Sequence, residues 1–272
     1  MIITVDELKY NVEVIGSGPP LILLHGFTGD ITTWNNLAVQ IKRKYSIISI
    51  DIIGHGQTDS PIDINRYEIE HVAHDIKSMM KELKIDQAHI LGYSMGGRLA
   101  LSFAMLYPQK VKSLILESSS PGLKTHEERE KRKQSDTLLA KRIIDEGMEV
   151  FVNFWEKIPL FSSQQQLPHD IQEHIRQQRL ANTVHGLVNS LKGMGTGSQP
   201  SWWERLNDLH MPIKLVCGEQ DEKFCKIAKE MQLKLSNAKL VVVKGVGHAI
   251  HVEEPEMFGT IVEGFLSEIN EQ

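Results

Sequence analysis

The sequence predicts an α/β protein: a mostly parallel central sheet, helices on both of its faces, and a helical block inserted late in the chain. Three observations point there. Through the first half, short β-rich runs alternate with segments of helical period, the rhythm of a parallel sheet whose crossovers are helices. From Lys124 to about Leu209 the strand signal disappears. Two strand runs then return, too few to make a sheet alone, so they are expected to rejoin the first. The predicted organisation is a core built from residues 1–121 and 210–272, interrupted by a helical lid over 122–209.

Each element has a local reason. Val12–Ile15 and Leu21–Leu24 flank the turn Gly16-Ser17-Gly18-Pro19-Pro20 and read as strands. Tyr45–Ile50 is a third strand, ending at Asp51. From Glu68 to Leu83, apolar residues at Ile69, Val72, Ala73, Ile76, Met79, Met80 and Leu83 recur at helical spacing. Ala88–Tyr93 is a strand, Met95–Leu106 a helix stopped before Pro108, and Val111–Leu116 another strand. After the polar helical block come strands Ile213–Cys217 and Leu240–Val243, followed by helical patterns over Lys223–Leu235 and Pro255–Ile269.

At 272 residues the chain suits one large domain with an insertion. Its 41% hydrophobic and 24% charged residues are ordinary for a globular protein. A formal charge of −5 argues against a dedicated nucleic-acid binder, and any anionic ligand must be held by local cations. No apolar run approaches the ~18 residues of a membrane span, and the first residues do not read as a signal peptide. Cys217 and Cys225 are too few for a disulfide framework and read as buried thiols, which points to the cytoplasm.

The sharpest motif is Gly92-Tyr93-Ser94-Met95-Gly96-Gly97, between an apolar strand and a helix. A nucleophile on a tight strand-to-helix turn needs small residues two positions either side, and in return its hydroxyl is exposed beside a helix N-terminus. Serine reacts only if an imidazole takes its proton and an acid fixes that imidazole. Asp221 and His248 both lie just past strand ends, where open parallel sheets collect reacting groups. Glu219 and Glu222 compete with Asp221, and His251 with His248. Asp221 lies further into its loop than Glu219, and glycines precede His248. His25-Gly26 ends a strand so that the Phe27 amide can pair with the Met95 amide as an oxyanion hole, with His25 bracing the loop. Residues 51–60 read as scaffold, and neither His248/His251 nor His71/His74 has the carboxylate or cysteine partners of a metal site.

Arg98 lies one helical turn beyond Ser94, on the same face of an otherwise apolar helix. A buried guanidinium there needs an anion, either a protein carboxylate or a substrate carboxylate beside the nucleophile. The block from 122 to 209 adds Arg129, Lys131, Arg132, Lys133, Arg176 and Arg179, most of them expected to be solvated.

The motifs, in this order, resemble the α/β-hydrolase superfamily; serine at position 94 argues against its dehalogenase and epoxide-hydrolase branches. The elbow with Arg98, His25 to Asp30, Glu117 to Leu123 and Cys217 to Phe224 resemble more closely the synthases that form 2-succinyl-6-hydroxy-2,4-cyclohexadiene-1-carboxylate in menaquinone biosynthesis. That resemblance implies a lyase that eliminates pyruvate from 2-succinyl-5-enolpyruvyl-6-hydroxy-3-cyclohexene-1-carboxylate, a tricarboxylate, with no cofactor. It implies substrate-binding arginines at Arg98, Arg132 and Arg179, with Arg129 and Arg176 as alternatives in the looser part of the match, and pocket aromatics at Tyr93 and Trp155. Two rival expectations remain: a serine hydrolase of an anionic ester or thioester, and a receptor or scaffold without turnover. Oligomeric state is not legible.

Overall fold

The computed structural model describes residues 1–271. The chain opens with β1 (Ile2–Val5), β2 (Leu8–Gly16) and β3 (Pro20–Leu24), then α1 (Asn35–Ile41), β4 (Ser46–Ile50) and α2 (Ile69–Glu82). Strand β5 (Ala88–Tyr93), helix α3 (Met95–Leu106) and strand β6 (Val111–Glu117) follow. The inserted block holds α4 (His126–Trp155), α5 (His169–Leu180) and α6 (Val184–Met194). The chain closes with β7 (Ile213–Gly218), α7 (Glu222–Lys234), β8 (Ala238–Val243), the short α8 (Ile250–Glu253) and α9 (Pro255–Asn270).

The eight strands form one sheet in the order β1-β2-β4-β3-β5-β6-β7-β8. The pairs β1–β2 and β2–β4 are antiparallel and the other neighbours are parallel. Strands β5 and β7 are buried along their whole length, as continuous apolar runs covered on both faces should be. One face packs side chains such as Val72, Ile76, Leu99, Phe103 and Met231 from α2, α3 and α7. The other packs Trp34, Leu37, Ile41, Phe258, Val262 and Phe265 from around α1 and α9. A third, smaller core lies inside the helical block around Ile143, Phe151, Val152, Leu187 and Leu191.

The expected helices and most strands of the core are present within a residue or two; β2 begins four residues earlier than expected, and β1, α1 and the short α8 are additional. Strand β1 folds back on β2 through a turn whose residues, Asp6 and Glu7, both have positive φ (44° and 69°). A turn of that hand normally carries glycine or asparagine, so this one leaves no sequence signature. Helix α1 is only seven residues long, too short to show a periodic pattern. Helix α4 begins with a capping box, in which the Glu128 amide donates to Thr125 Oγ1 (3.1 Å) and the Thr125 amide to Glu128 Oε2 (2.9 Å). It breaks at Gly147 (φ 79°, ψ 173°) before continuing to Trp155. Among the described residues no helix is long and apolar enough to cross a membrane.

Candidate active site

Ser94 follows the last residue of β5 and sits at φ 50°, ψ −104°, a conformation that costs a non-glycine residue on the order of 1–3 kcal/mol. The turn closes because its neighbours have no side chains. A Cβ on Gly92 would lie 2.3 Å from Gly96 O, and one on Gly96 2.1 Å from Leu24 O. The Ser94 amide donates to Glu117 O (2.9 Å), locking the turn to the end of β6.

The Ser94 hydroxyl lies 3.0 Å from His248 Nε2, and His248 Nδ1 lies 2.5 Å from Asp221 Oδ2. Asp221 is also the N-cap of α7, accepting from the Phe224 amide (3.2 Å), so its carboxylate is aimed by a helix end. His248 is 1% exposed and Asp221 8%, which keeps water from competing for either bond. The competitors are placed elsewhere. Glu219 accepts from the Gly245 amide (3.0 Å), and Glu222 is exposed. His251 turns away from Ser94, with Nδ1 2.9 Å from both oxygens of Glu117.

The amides of Phe27 and Met95 donate to no backbone acceptor among the described residues. Both residues line the cavity over Ser94, so both donors are free to meet an oxyanion. His25 supports the Phe27 loop, as expected: Nδ1–H donates to Gly26 O (2.7 Å) and Nε2 accepts from the Ile52 amide (2.9 Å). Burial holds its pKa below the usual histidine range, consistent with that neutral tautomer. Asp51 is likewise a scaffold hub, accepting from the Ile31 and Gln57 amides and from Asn11 Nδ2.

The cavity over Ser94 has a volume of about 190 Å³ and mixes aromatic walls with cations. Arg98 lines it and donates through Nη1 to Met194 O (2.7 Å) and Gln199 Oε1 (2.6 Å). Both partners are neutral. Among the described residues no protein carboxylate is hydrogen-bonded to it, and burial, with Arg132 nearby, pushes the guanidinium down to about 9. Arg132 also lines the cavity, tethered through Nε to Asp136 Oδ1 (2.8 Å), whereas the side chain of Arg129 turns to Gly197 O (3.3 Å). Trp155 packs edge-on to Phe27 (centroids 5.6 Å).

Arg179 stands apart from this group. It opens onto a neighbouring cavity of about 500 Å³, with its guanidinium over the Phe161 ring (4.8 Å) and Nη2 donating to Gln164 (3.0 Å). Phe161, Phe27 and Tyr93 line both cavities. Its alternative, Arg176, is paired with Glu156 (3.1 Å) and lines neither cavity. Lys223, which sequence reading passed over, is exposed, lines the Ser94 cavity and forms no ion pair among the described residues. Phe161 and Phe224, which line this cavity, and Gln199, which holds Arg98, were also missed; Phe161 and Gln199 reach the site only through the fold of the inserted block.

Comparison with known proteins places the chain in a family. Residues 19–255 match the family described as the alpha/beta hydrolase fold. A Bacillus subtilis protein provisionally named a 2-succinyl-6-hydroxy-2,4-cyclohexadiene-1-carboxylate synthase is 47% identical over 97% of both chains. A Photorhabdus laumondii protein named as the same synthase is 30% identical over 93% of this chain and 87% of its own. The solved structure of MenH from S. aureus superposes with a TM-score of 0.92 at 38% identity, covering 96% of this chain and 98% of that one. The chain therefore belongs to the α/β-hydrolase fold family and, within it, to the 2-succinyl-6-hydroxy-2,4-cyclohexadiene-1-carboxylate synthases.

Proposed function

We infer that this chain is a lyase of menaquinone biosynthesis that eliminates pyruvate from 2-succinyl-5-enolpyruvyl-6-hydroxy-3-cyclohexene-1-carboxylate. The carrying observation is a complete Ser94–His248–Asp221 chain opening onto a cavity that also presents the unpaired cation of Arg98. The bonds balance as a vinylogous elimination. The C2–H bond breaks, C2=C3 forms, the C3=C4 double bond moves to C4=C5, and the C5–O bond releases enolpyruvate, which tautomerises to pyruvate.

The C2 proton is acidic because it is alpha to the succinyl ketone, and its loss puts negative charge on that ketone oxygen. The free amides of Phe27 and Met95 are the donors for this enolate. Ser94, its own proton drawn to His248 Nε2, is the general base, and Asp221 stabilises the imidazolium that results. No bond forms between Ser94 Oγ and a substrate carbon. The proton held on the Ser94–His248 pair is then available to the departing oxygen. Arg98 and Arg132 meet substrate carboxylates, Tyr93 and Trp155 wall the ring, and Arg179 meets a carboxylate that reaches past Phe161. The helical block over 122–209 acts as the lid. A step on a small dissolved acid suits the cytoplasm, and it needs no metal or organic cofactor.

Pyruvate release from the enolpyruvyl substrate, coupled to lactate dehydrogenase, tests the reading. Rapid release that falls by orders of magnitude in Ser94→Ala and in His248→Ala is expected. A burst and rapid turnover on p-nitrophenyl esters without pyruvate release would instead identify a hydrolase.

A further inference from the structure

We propose that Glu117 is a positioning residue that couples the nucleophile to its imidazole. The proposal rests on the reading of Ser94 and His248 as the reacting pair. Glu117 ends β6 beside Tyr93 in register and is fully buried. Its backbone and its side chain hold different halves of the site. The carbonyl accepts the Ser94 amide (2.9 Å). The carboxylate accepts the His251 amide at Oε1 (3.1 Å) and lies 2.9 Å from His251 Nδ1 through both oxygens. His251 is in the first turn of α8, three residues after His248.

A second carboxylate holds the same loop from its other side. Glu253 accepts the Gly247 amide (2.7 Å) and the Ala249 amide (3.3 Å), the N–H groups of the residues on either side of His248. The Tyr93 ring fills the space between the two histidines, 5.3 Å from the His248 ring and 4.6 Å from the His251 ring. The loop carrying His248 is therefore fixed at residues 247, 249 and 251 by two carboxylates, and the backbone carbonyl of one of these residues, Glu117, also anchors the nucleophile's turn.

A buried carboxylate is a costly way to fill space, and apolar residues of similar volume are often neutral or better for stability. What it adds is direction. Three acceptor contacts from one rigid strand end define where α8 starts, and so where Nε2 stands relative to the Ser94 hydroxyl. Glu117 lines neither cavity, so its removal should not weaken substrate binding.

Glu117→Gln keeps the shape and removes the charge and one acceptor. Displacements of about 1 Å at reacting groups cost on the order of 100-fold, so kcat for pyruvate release should fall about 10- to 100-fold. KM should stay within about twofold on the same grounds. The rate of Ser94 labelling by a fluorophosphonate should fall by the same factor as kcat, and the low-field proton resonance of the His248–Asp221 hydrogen bond should shift. A lower melting temperature with unchanged kcat per phosphonate-titrated site, unchanged labelling rate and unchanged resonance would overturn the proposal, as would a rise in KM at constant kcat. If Glu117→Gln does not fold, Glu253→Gln and His251→Asn carry the test. Each should lower kcat and labelling together, and normal values in both variants refute the coupling. Failure of the underlying reading is separable: wild-type enzyme would then not label at Ser94, or would release pyruvate normally as His248→Ala.

Discussion

Replacing Arg98 with methionine separates what this side chain does for the fold from what it does for substrate. In the free enzyme the guanidinium is buried, its Nη1 is spent on two neutral oxygens, and among the described residues it forms no ion pair. Burial lowers its pKa from 12.5 to about 9, a penalty on the order of 5 kcal/mol at ~1.36 kcal/mol per pH unit. The methionine variant relieves that penalty but leaves Met194 O and Gln199 Oε1 without a donor, at about 1–3 kcal/mol each. The two effects are of similar size and opposite sign, so the melting temperature should move by only a few degrees. Catalysis has no such compensation. A charge-assisted hydrogen bond to a substrate carboxylate contributes about 1.5–3 kcal/mol, so kcat/KM for pyruvate release should fall roughly 10- to 150-fold. Hydrolysis of a neutral p-nitrophenyl ester, which offers no carboxylate, should change less than about threefold by the same reasoning. Both activities and a thermal melt on one preparation decide it. Equal losses on the two substrates would refute a role in binding charge, and a collapse of the melting temperature would make Arg98 a structural residue.

Three further outcomes follow from the geometry. Lys223→Met removes an exposed cation at the cavity, so KM for the tricarboxylate should rise about two- to fivefold at low ionic strength, and the difference should vanish in high salt; a salt-independent effect would exclude charge as the cause. Asp221→Asn should leave His248 in the wrong tautomer and lower kcat by about 10⁴-fold, as measured by pyruvate release, and a loss under tenfold would remove Asp221 from the relay. His55 and His89 are buried and held down to about 3 and about 4, chiefly by desolvation. Their unfolded forms protonate near 6.5, so this contribution is intact above that pH and is lost as pH falls. Each should cost about 2 kcal/mol of stability at pH 5. Urea unfolding at pH 7 and pH 5 reads the loss, and His89→Gln should reduce it by about 2 kcal/mol; an unaltered acid slope would sink the assignment.

What could be read in the sequence was what depends on neighbours along the chain. The turn around Ser94 is enforced by Gly92 and Gly96, whose absent side chains make room within 2.5 Å of backbone, so the motif and its geometry are one fact. Asp221 and His248 were legible because they follow strands whose apolar runs are unmistakable. The glycines before His248 favoured it over His251; what they could not show is that Glu117, 134 residues earlier, holds the His251 side chain. Arg98 was legible as a cation in an apolar helix, but its partners Met194 and Gln199 lie about a hundred residues away. Arg179 enters the expected site only by resemblance, and its seat over the Phe161 ring, which lines both cavities, could not be read from spacing. The Arg98 contacts cross between the sheet core and the inserted block, and periodicity carries no information about how two such bodies dock.

The cations around Ser94 also explain how a relay suited to acyl transfer can serve an elimination. Their settings differ in depth: Arg98 is buried on neutral acceptors, Arg132 is half held by Asp136, Lys223 is exposed, and Arg179 lines the neighbouring cavity over the Phe161 ring. A charge interacts far more strongly where water is excluded, so the inner arginines discriminate among bound anions while the exposed lysine can only raise the encounter rate. A substrate pinned by its carboxylates has little freedom to present a carbonyl carbon to Ser94 at bonding distance. It can present the proton beside that carbonyl, with the oxygen already against the Phe27 and Met95 amides. On this reasoning the relay itself is unchanged from that of a hydrolase, and the choice of reaction lies in the cations, which decide whether Ser94 meets a carbon or a hydrogen.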